Sequence, residues 1–254
     1  MKSLISFIIR YIPRKYLQLV SHFFLRIMAV FYQGNQVTCN VCDHSFRKFL
    51  PYGRKGRDNA LCPNCLALER HRLMWLFLQQ ETNFFTDKLK VLHIAPELCF
   101  IDRMEAMKNL DYITADIESP LAKVKMDVHQ IPFEANTFDV VFCNHVMEHV
   151  DDDILACSEI NRVLKPTGWG IIQSPVYDIP ETIEDKTITD AAERERLFGQ
   201  RDHVRKYGHD YAKRLSLSGL NVQENLFVKT LDPTVVLKNA LPENEVIFYC
   251  EKGK

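Results

Sequence analysis

The sequence lacks any acidic residue in its first 32 positions, and it lacks long hydrophobic runs. Its longest solidly apolar, uncharged stretch is about ten residues, against the roughly 20 that a helix needs to cross a bilayer. Arg10, Arg14, Lys15 and Arg26 break up the Leu, Ile, Phe and Val of Met1 to Tyr32. No small-residue cleavage site follows the apolar Leu4 to Ile9, so export is not expected. The expectation is a cytoplasmic chain whose N-terminal helices, the second running from Pro13 to about Val30, pack on the rest of the chain or on a second copy. Peripheral contact with a membrane surface is the alternative.

Glycine is absent where it would be most informative. Lys90 to Ala95 (KVLHIA) alternates and meets Pro96, as a short buried strand does. Leu98, Ile101, Met104, Ala106, Met107 and Leu110 then recur at helical spacing, and Tyr112 to Ala115 alternates again and stops at Asp116. This βαβ unit puts an acid about 20 residues beyond the first turn, where a nucleotide-like ligand has its ribose hydroxyls held. The turn reads Ala95-Pro96-Glu97-Leu98, without the glycines that let a backbone approach such a ligand. A ligand site and plain scaffold both stay open here, because Asp at a strand end also forms turns and caps helices. His93, inside the strand, reads as a satisfied core histidine.

What is present is an ordinary globular composition, 46% hydrophobic and 26% charged over 254 residues, enough for a domain of about 170 residues and something smaller. The net charge of −1 hides a division, with 12 Lys and Arg against 3 Asp and Glu in residues 1–80 and 20 against 30 thereafter. A basic half suggests an anionic partner such as RNA or a lipid surface, or attraction between the two halves.

Cys39-x2-Cys42 and Cys62-x2-Cys65 have the spacing of four thiolates around one tetrahedral zinc. Two disulfides are the alternative, disfavoured without an export signal. His44 and His71 lie close enough in sequence to replace a cysteine, and Cys99, Cys143, Cys157 and Cys250 read as core residues. Between the pairs, Arg47, Lys48, Arg54, Lys55 and Arg57 interleave with Phe46, Phe49 and Tyr52, a pattern suited to phosphates and stacked bases or to a solvated loop. Leu66 to Gln80 reads as a linking helix. The expected divisions are 1–36 for the apolar and basic helices, 37–80 for the zinc-ribbon-like module and 81–254 for the sheet domain.

Beyond Asp116, strands are expected at Lys123 to Val128, Thr137 to Cys143, Trp169 to Ser174, Leu220 to Lys229 and Glu245 to Cys250. A helix is expected from Glu148 to Leu164, with Glu148 and Asp151 to Asp153 near its start, and a turn at Pro166-Thr167-Gly168. Such a sheet is mostly parallel, carries helices on both faces, and takes ligands at the carboxyl ends of its strands.

The string FDVVFCNHVMEHVDDDILACSEINRVLKPTGWGII, preceded by DVHQIPFEANT, resembles the middle of a class I S-adenosylmethionine-dependent methyltransferase of the type 11 kind. The family's D-x-x-x-L-P-F, FDVV, LEHV and RVLKPGG segments occur in that order across roughly residues 88 to 175. The resemblance implies a Rossmann-like α/β sheet with S-adenosylmethionine as cofactor. It implies that Asp116 holds the ribose hydroxyls, that Asp127 and Val128 flank the adenine, and that Asn144 and His145 lie beside the methionine end. Ala95 replaces the first family glycine, and Glu97 is expected at the cofactor's amino group.

Selectivity in the family usually comes from the N-terminal extension and from late insertions, here the zinc module and about 176–218. That insertion carries FGQRDHVRKYGHDY. His203, among Arg201, Asp202 and Arg205, is the expected proton acceptor, ahead of His209, and His145 is a positioning residue. The expected acceptor is a small molecule, a glycan or an RNA, the last because zinc-ribbon methyltransferases of ribosomal RNA share the layout. A non-catalytic zinc-containing binding protein on the same fold is the alternative.

Overall fold

The computed structural model describes residues 25–27, 29–53 and 56–253. The expected N-terminal helices lie almost wholly outside the described residues, as do Arg54 and Lys55. No helix among the described residues is long and apolar enough to cross a membrane. The chain forms two compact units, one of residues up to Phe85 with Glu97–Met107 and Phe227–Glu245, the other of Thr86–Pro96, Lys108–Leu226 and Val246–Lys254.

In the first unit, β1 (Gln33–Cys39) pairs antiparallel with β2 (His44–Phe46), and β3 (Leu50–Tyr52) pairs antiparallel with β4 (Arg57–Leu61). The helix Glu69–Glu81 begins three residues later than expected, because Leu66 and Ala67 close a turn on Cys62 instead. Its Trp75 stacks on Phe100 of the helix Leu98–Glu105 at 5.7 Å, and Phe77 meets Phe227 edge-on. Arg72 of this helix is fully buried. Its guanidinium donates to the carbonyls of Ala60 and Ala67 at 2.9 and 3.0 Å and to those of Asn239 and Ala240 at 2.6 and 2.9 Å. It also lies 4.2 Å over the Phe49 ring. Phe46 and Phe49 are buried at 2% and 1% exposure, which leaves neither ring open to stack a base: in a module this small they are the core.

The second unit is built on a seven-stranded sheet. Its strands are β5 (Leu89–Ile94), β6 (Leu110–Asp116), β7 (Val124–Lys125), β8 (Phe138–Asn144), β9 (Leu164–Gln173), β12 (Asn221–Asn225) and β13 (Ile247–Glu251), and a separate two-residue pair, β10 (Ile183–Glu184) with β11 (Arg205–Lys206), lies in the insertion. The spatial order is β12-β13-β9-β8-β5-β6-β7, parallel from β9 to β7 and antiparallel at β12 and β13. From β5 the chain adds β6 and β7 on one side, then crosses to add β8 and β9 on the other.

Alternation along the strands separates two faces. Leu92, Ile94, Val141, Cys143, Ile172, Phe248 and Cys250 meet the helix Asp153–Val163 and Tyr211 and Leu215 of the helix Tyr211–Ser216 in one core. The other face carries a row of rings, with His93, Phe142, Trp169 and Tyr249 spaced 5.7, 6.0 and 5.5 Å apart across four strands. His93 is fully buried, with Nδ1 2.7 Å from the Tyr112 hydroxyl.

Three expected boundaries move for local reasons. The strand at Lys123 to Val128 is only Val124–Lys125, because Asp127 turns the chain by accepting the His129 N–H. The helix expected from Glu148 starts at Asp153, where Asp152 caps it by accepting the Leu155 N–H at 2.9 Å. Pro166-Thr167-Gly168, expected as the turn leading into a strand at Trp169, lies instead within β9 as a bulge, so that Phe138 pairs with Leu164 while Val140 pairs with Trp169.

Candidate functional site

Two groups of chemically capable side chains stand out, one in each unit. In the first unit the four cysteines converge. Sγ of Cys39 lies 3.6 Å from that of Cys65, and Sγ of Cys42 lies 3.7 Å from that of Cys62. A zinc ion with Zn–S bonds of about 2.3 Å spaces its sulfurs about 3.8 Å apart, whereas a disulfide needs about 2.05 Å. The donor set therefore fits a closed tetrahedral site, and all eight cysteines are free thiols.

Each Cys-x2-Cys hairpin turns back through a left-handed residue after its second cysteine, Asp43 at φ 59° and Leu66 at φ 65°. The Asp43 and Leu66 N–H groups donate to the carbonyls of Cys39 and Cys62. Leu66 adopts a conformation that costs an L-residue roughly 1–2 kcal/mol, a cost that a metal held by the four thiolates would offset. His44 and His71 are not part of the cluster. His44 Nδ1 meets the Cys42 carbonyl, and His71 Nδ1 accepts the Leu68 N–H, which turns Nε2 toward Glu97 Oε1 at 3.5 Å. Glu97, expected at a cofactor amino group, sits in this unit with His71 as its partner.

In the second unit, β5 is the strand at which the order reverses, so the crevice beyond its carboxyl end, toward β8, is where an open α/β sheet takes a ligand. Ala95 follows β5 at φ 51° and His145 follows β8 at φ 57°. Both hold a left-handed conformation that glycine adopts freely and other residues rarely do. The Ala95 N–H is tied to the Ala115 carbonyl at 2.9 Å, so the turn has the conformation a glycine would supply although its sequence has none.

Asp116 ends β6, and its Oδ1 accepts the N–H groups of Glu118 and Ser119, each at 2.7 Å. These bonds fix the carboxylate and leave Oδ2 outside the turn. Asp127 Oδ1 accepts both the backbone N–H and the ring Nδ1–H of His129, and those two hydrogen bonds hold its carboxyl below the usual range. Val128 is buried in the core beside Met126 and Ile131. Asn144, at the end of β8, is 5% exposed.

Next to His145 is a cluster that neither composition nor spacing reveals. Glu148 is 2% exposed, with Oε1 3.3 Å from His145 Nδ1 and Oε2 accepting the Ser174 hydroxyl at 2.8 Å. Burial opposes its charge, but the hydrogen bond and positive field of His145 prevail and lower its pKa. His203 is 1% exposed, its ring edge-on to His149 at 4.8 Å between centroids. Burial lowers the pKa of His203, against the pull of Glu148. His209 is instead a surface residue, 62% exposed and 3.3 Å from Asp178.

The insertion reaches this position through a buried ionic clamp. Arg205, fully buried, donates to the carbonyls of Met147, Val150 and Asp151 and to Glu184. The Val204 N–H donates to the Glu148 carbonyl at 2.9 Å, and the Tyr207 hydroxyl donates to Asp153 at 2.7 Å. In the sequence Arg205 stands only as a basic neighbour of His203 and Asp153 only as an acid near the start of a helix. A basic residue inside an insertion offers no sign that it will be buried, so nothing in the string marks either as part of the clamp.

Residues 85–172 match the family described as "Methyltransferase domain". An uncharacterised methyltransferase of Schizosaccharomyces pombe is 31% identical over 28% of this chain, and the match spans 27% of that protein's length. Among solved structures, the 1,6-didemethyltoxoflavin-N1-methyltransferase of Burkholderia thailandensis, with S-adenosylhomocysteine bound, is 15% identical, with 66% of this chain and 72% of that one covered at a TM-score of 0.43. A protein of Pyrococcus horikoshii is 17% identical, with 71% and 87% covered at a TM-score of 0.45.

Proposed function

We propose that this chain, whose residues 85–172 match the methyltransferase domain family, moves a methyl group from S-adenosylmethionine to a nucleophilic acceptor. The observation that carries the reading is the left-handed Ala95 at the end of β5, where the sheet order reverses, with Asp116 ending the adjacent strand. Ala95 keeps the turn open for a ligand's amino-acid end, and Asp116 offers a fixed carboxylate to a pair of ribose hydroxyls. Asp127 and Val128 flank the adenine, and Asn144 stands toward the methionine end. When bound, the cofactor supplies an electrophilic methyl on a sulfonium, so the protein's tasks are alignment and removal of the acceptor's proton.

His203 suits the second task. Its Nδ1 faces the Phe198 carbonyl, so the ring proton sits there and Nε2 keeps its lone pair, while burial keeps the ring neutral. His145, held by Glu148, orients the acceptor. In the first unit, Cys39, Cys42, Cys62 and Cys65 hold a structural zinc, with the buried Arg72 nearby to balance the thiolates' charge. A small-molecule or glycan acceptor is favoured over RNA, because Phe46 and Phe49 are buried and only Tyr52 of the three loop aromatics is exposed.

The test is transfer of labelled methyl from S-adenosylmethionine into a cell extract fractionated into small molecules, glycans and RNA. Label should enter one fraction with the natural protein and, at cofactor concentrations below saturation, about tenfold to a hundredfold less with Asp116→Ala. Absence of label from every fraction contradicts the reading.

A further inference from the structure

The cluster at the end of β8 has a donor set that proton transfer alone does not require. A carboxylate oxygen of Glu148, a ring nitrogen of His149 and a ring nitrogen of His203 all lie within 4.8 Å of one another. Both rings are oriented by acceptors that cannot donate. His203 Nδ1 is 3.3 Å from the Phe198 carbonyl, and His149 Nδ1 is 3.1 Å from the Asp202 carbonyl with the Asp202 carboxylate at 3.6 Å. Each Nδ1 therefore carries the proton and each Nε2 the lone pair, the arrangement by which backbone and carboxylate acceptors prepare histidines for metals.

His203 is the second, independent pointer. It is 1% exposed, and its Nε2 is buried with no hydrogen-bond partner among the described residues. A lone pair left bare in an interior costs roughly 1–3 kcal/mol unless something uses it. Glu148 presents the complementary problem. It is a carboxylate at 2% exposure that forms no ion pair with Lys or Arg among the described residues. The Ser174 hydroxyl on Oε2 and His145 on Oε1 fix its direction.

We infer that Glu148, His149 and His203 form a site for one divalent first-row cation, separate from the four-cysteine site. Two imidazoles and a carboxylate match the ligands of catalytic zinc and of non-haem iron, with coordination positions left for an acceptor oxygen, sulfur or nitrogen. Ligand atoms around such an ion lie about 3–4 Å apart, so binding draws the three side chains together by roughly an ångström. The site's position, after β8 and facing Ser174 after β9, puts the cation at the carboxyl ends of the parallel strands. The cation's role there rests on the methyl-transfer reading. With the cation bound, His203 is a ligand. By neutralising Glu148 and polarising the acceptor, the cation would lower the acceptor's own pKa, in place of the base role that His203 has in the metal-free protein.

The experiment is a Co2+ titration of the full chain after metal removal and reconstitution, read by absorption. Thiolate-to-cobalt charge transfer reports the cysteine site, and weaker bands without it report a nitrogen and oxygen site. The inference expects two equivalents in the natural protein, and one equivalent with only the thiolate signature in both His149→Gln and His203→Ala. His149 is partly exposed, so its replacement should keep the fold, and a circular dichroism spectrum unchanged from that of the natural protein verifies this. A single equivalent in the natural protein, or a second equivalent that survives both substitutions, overturns the site. S-adenosylmethionine affinity measured on the same samples reports separately on the methyltransferase reading.

Discussion

Arg214 clamps Asp153 through two hydrogen bonds, Nε to Oδ2 at 2.6 Å and Nη2 to Oδ1 at 2.9 Å, and its Nη2 also reaches Glu184 at 2.7 Å. With Arg205 and Tyr207 this pair fastens the insertion to the start of the helix Asp153–Val163 and so carries His203 to Glu148. Breaking a buried pair leaves an uncompensated charge and costs about 3–5 kcal/mol. Asp153→Ala should therefore lower the unfolding free energy from urea titration by that amount and expose the insertion to protease, while the thiol chemistry of the cysteine module stays unchanged. A loss of unfolding free energy below about 1 kcal/mol would show that the clamp does not hold the insertion.

The same clamp sets an acid limit. Burial raises the pKa of Asp153 and of Glu184, but the arginines outweigh it and both end below their ordinary values. A carboxylate depressed in the folded state contributes stability above its unfolded pKa and loses it as pH falls toward the folded one. Stability from this pair should be flat near neutrality and decline below about pH 4. Unfolding midpoints measured from pH 7 to pH 3 should show that decline in the natural protein and a shallower one in Asp153→Asn.

Ala95 at φ 51° makes a prediction opposite to the usual cost of glycine. Relief of left-handed strain is worth roughly 1–2 kcal/mol, against an entropic loss of about 0.5–1 kcal/mol. Ala95→Gly should leave the melting temperature equal or slightly higher, with cofactor affinity retained, whereas Ala95→Val should lower both. A marked loss of stability in the glycine variant would contradict the turn geometry.

Much of this architecture was legible in the string because burial writes itself as alternation. Leu89–Ile94 and Phe138–Asn144 lie on an inner strand and its neighbour, and their apolar runs gave strands to within a residue or so. The four cysteines were equally plain, since a double Cys-x2-Cys has few other uses. What failed to show was long-range polar structure. Glu148 reads as a first-turn helix acid, yet it is buried and precedes the helix, because Asp152 is the better cap and Glu148 is held by His145 and Ser174. For Phe46 and Phe49 base stacking and a solvated loop both stay open in the sequence, because aromatics among cations look the same in a loop and in a core. Ala95 hid the left-handed turn after β5, since its conformation, held by the Ala115 carbonyl, cannot be inferred from residue type.

Removal of metal should act on the first unit. A chelator strong enough to strip four thiolates should release one zinc, measured with a chromophoric indicator, and lower the melting temperature sharply, since small metal modules lack a core sufficient to fold alone. Cys62→Ser should release its zinc at lower chelator concentration. Retention of thermal stability after complete metal loss would count against a structural role.

The most direct measurement is calorimetric titration of the full chain with S-adenosylmethionine, alongside Asp116→Ala. The account predicts one binding event per chain, weakened about tenfold to a hundredfold in the variant, the loss of a charge-assisted hydrogen bond worth roughly 1.5–3 kcal/mol. No detectable heat with the natural protein, or equal affinity in the two, would contradict it.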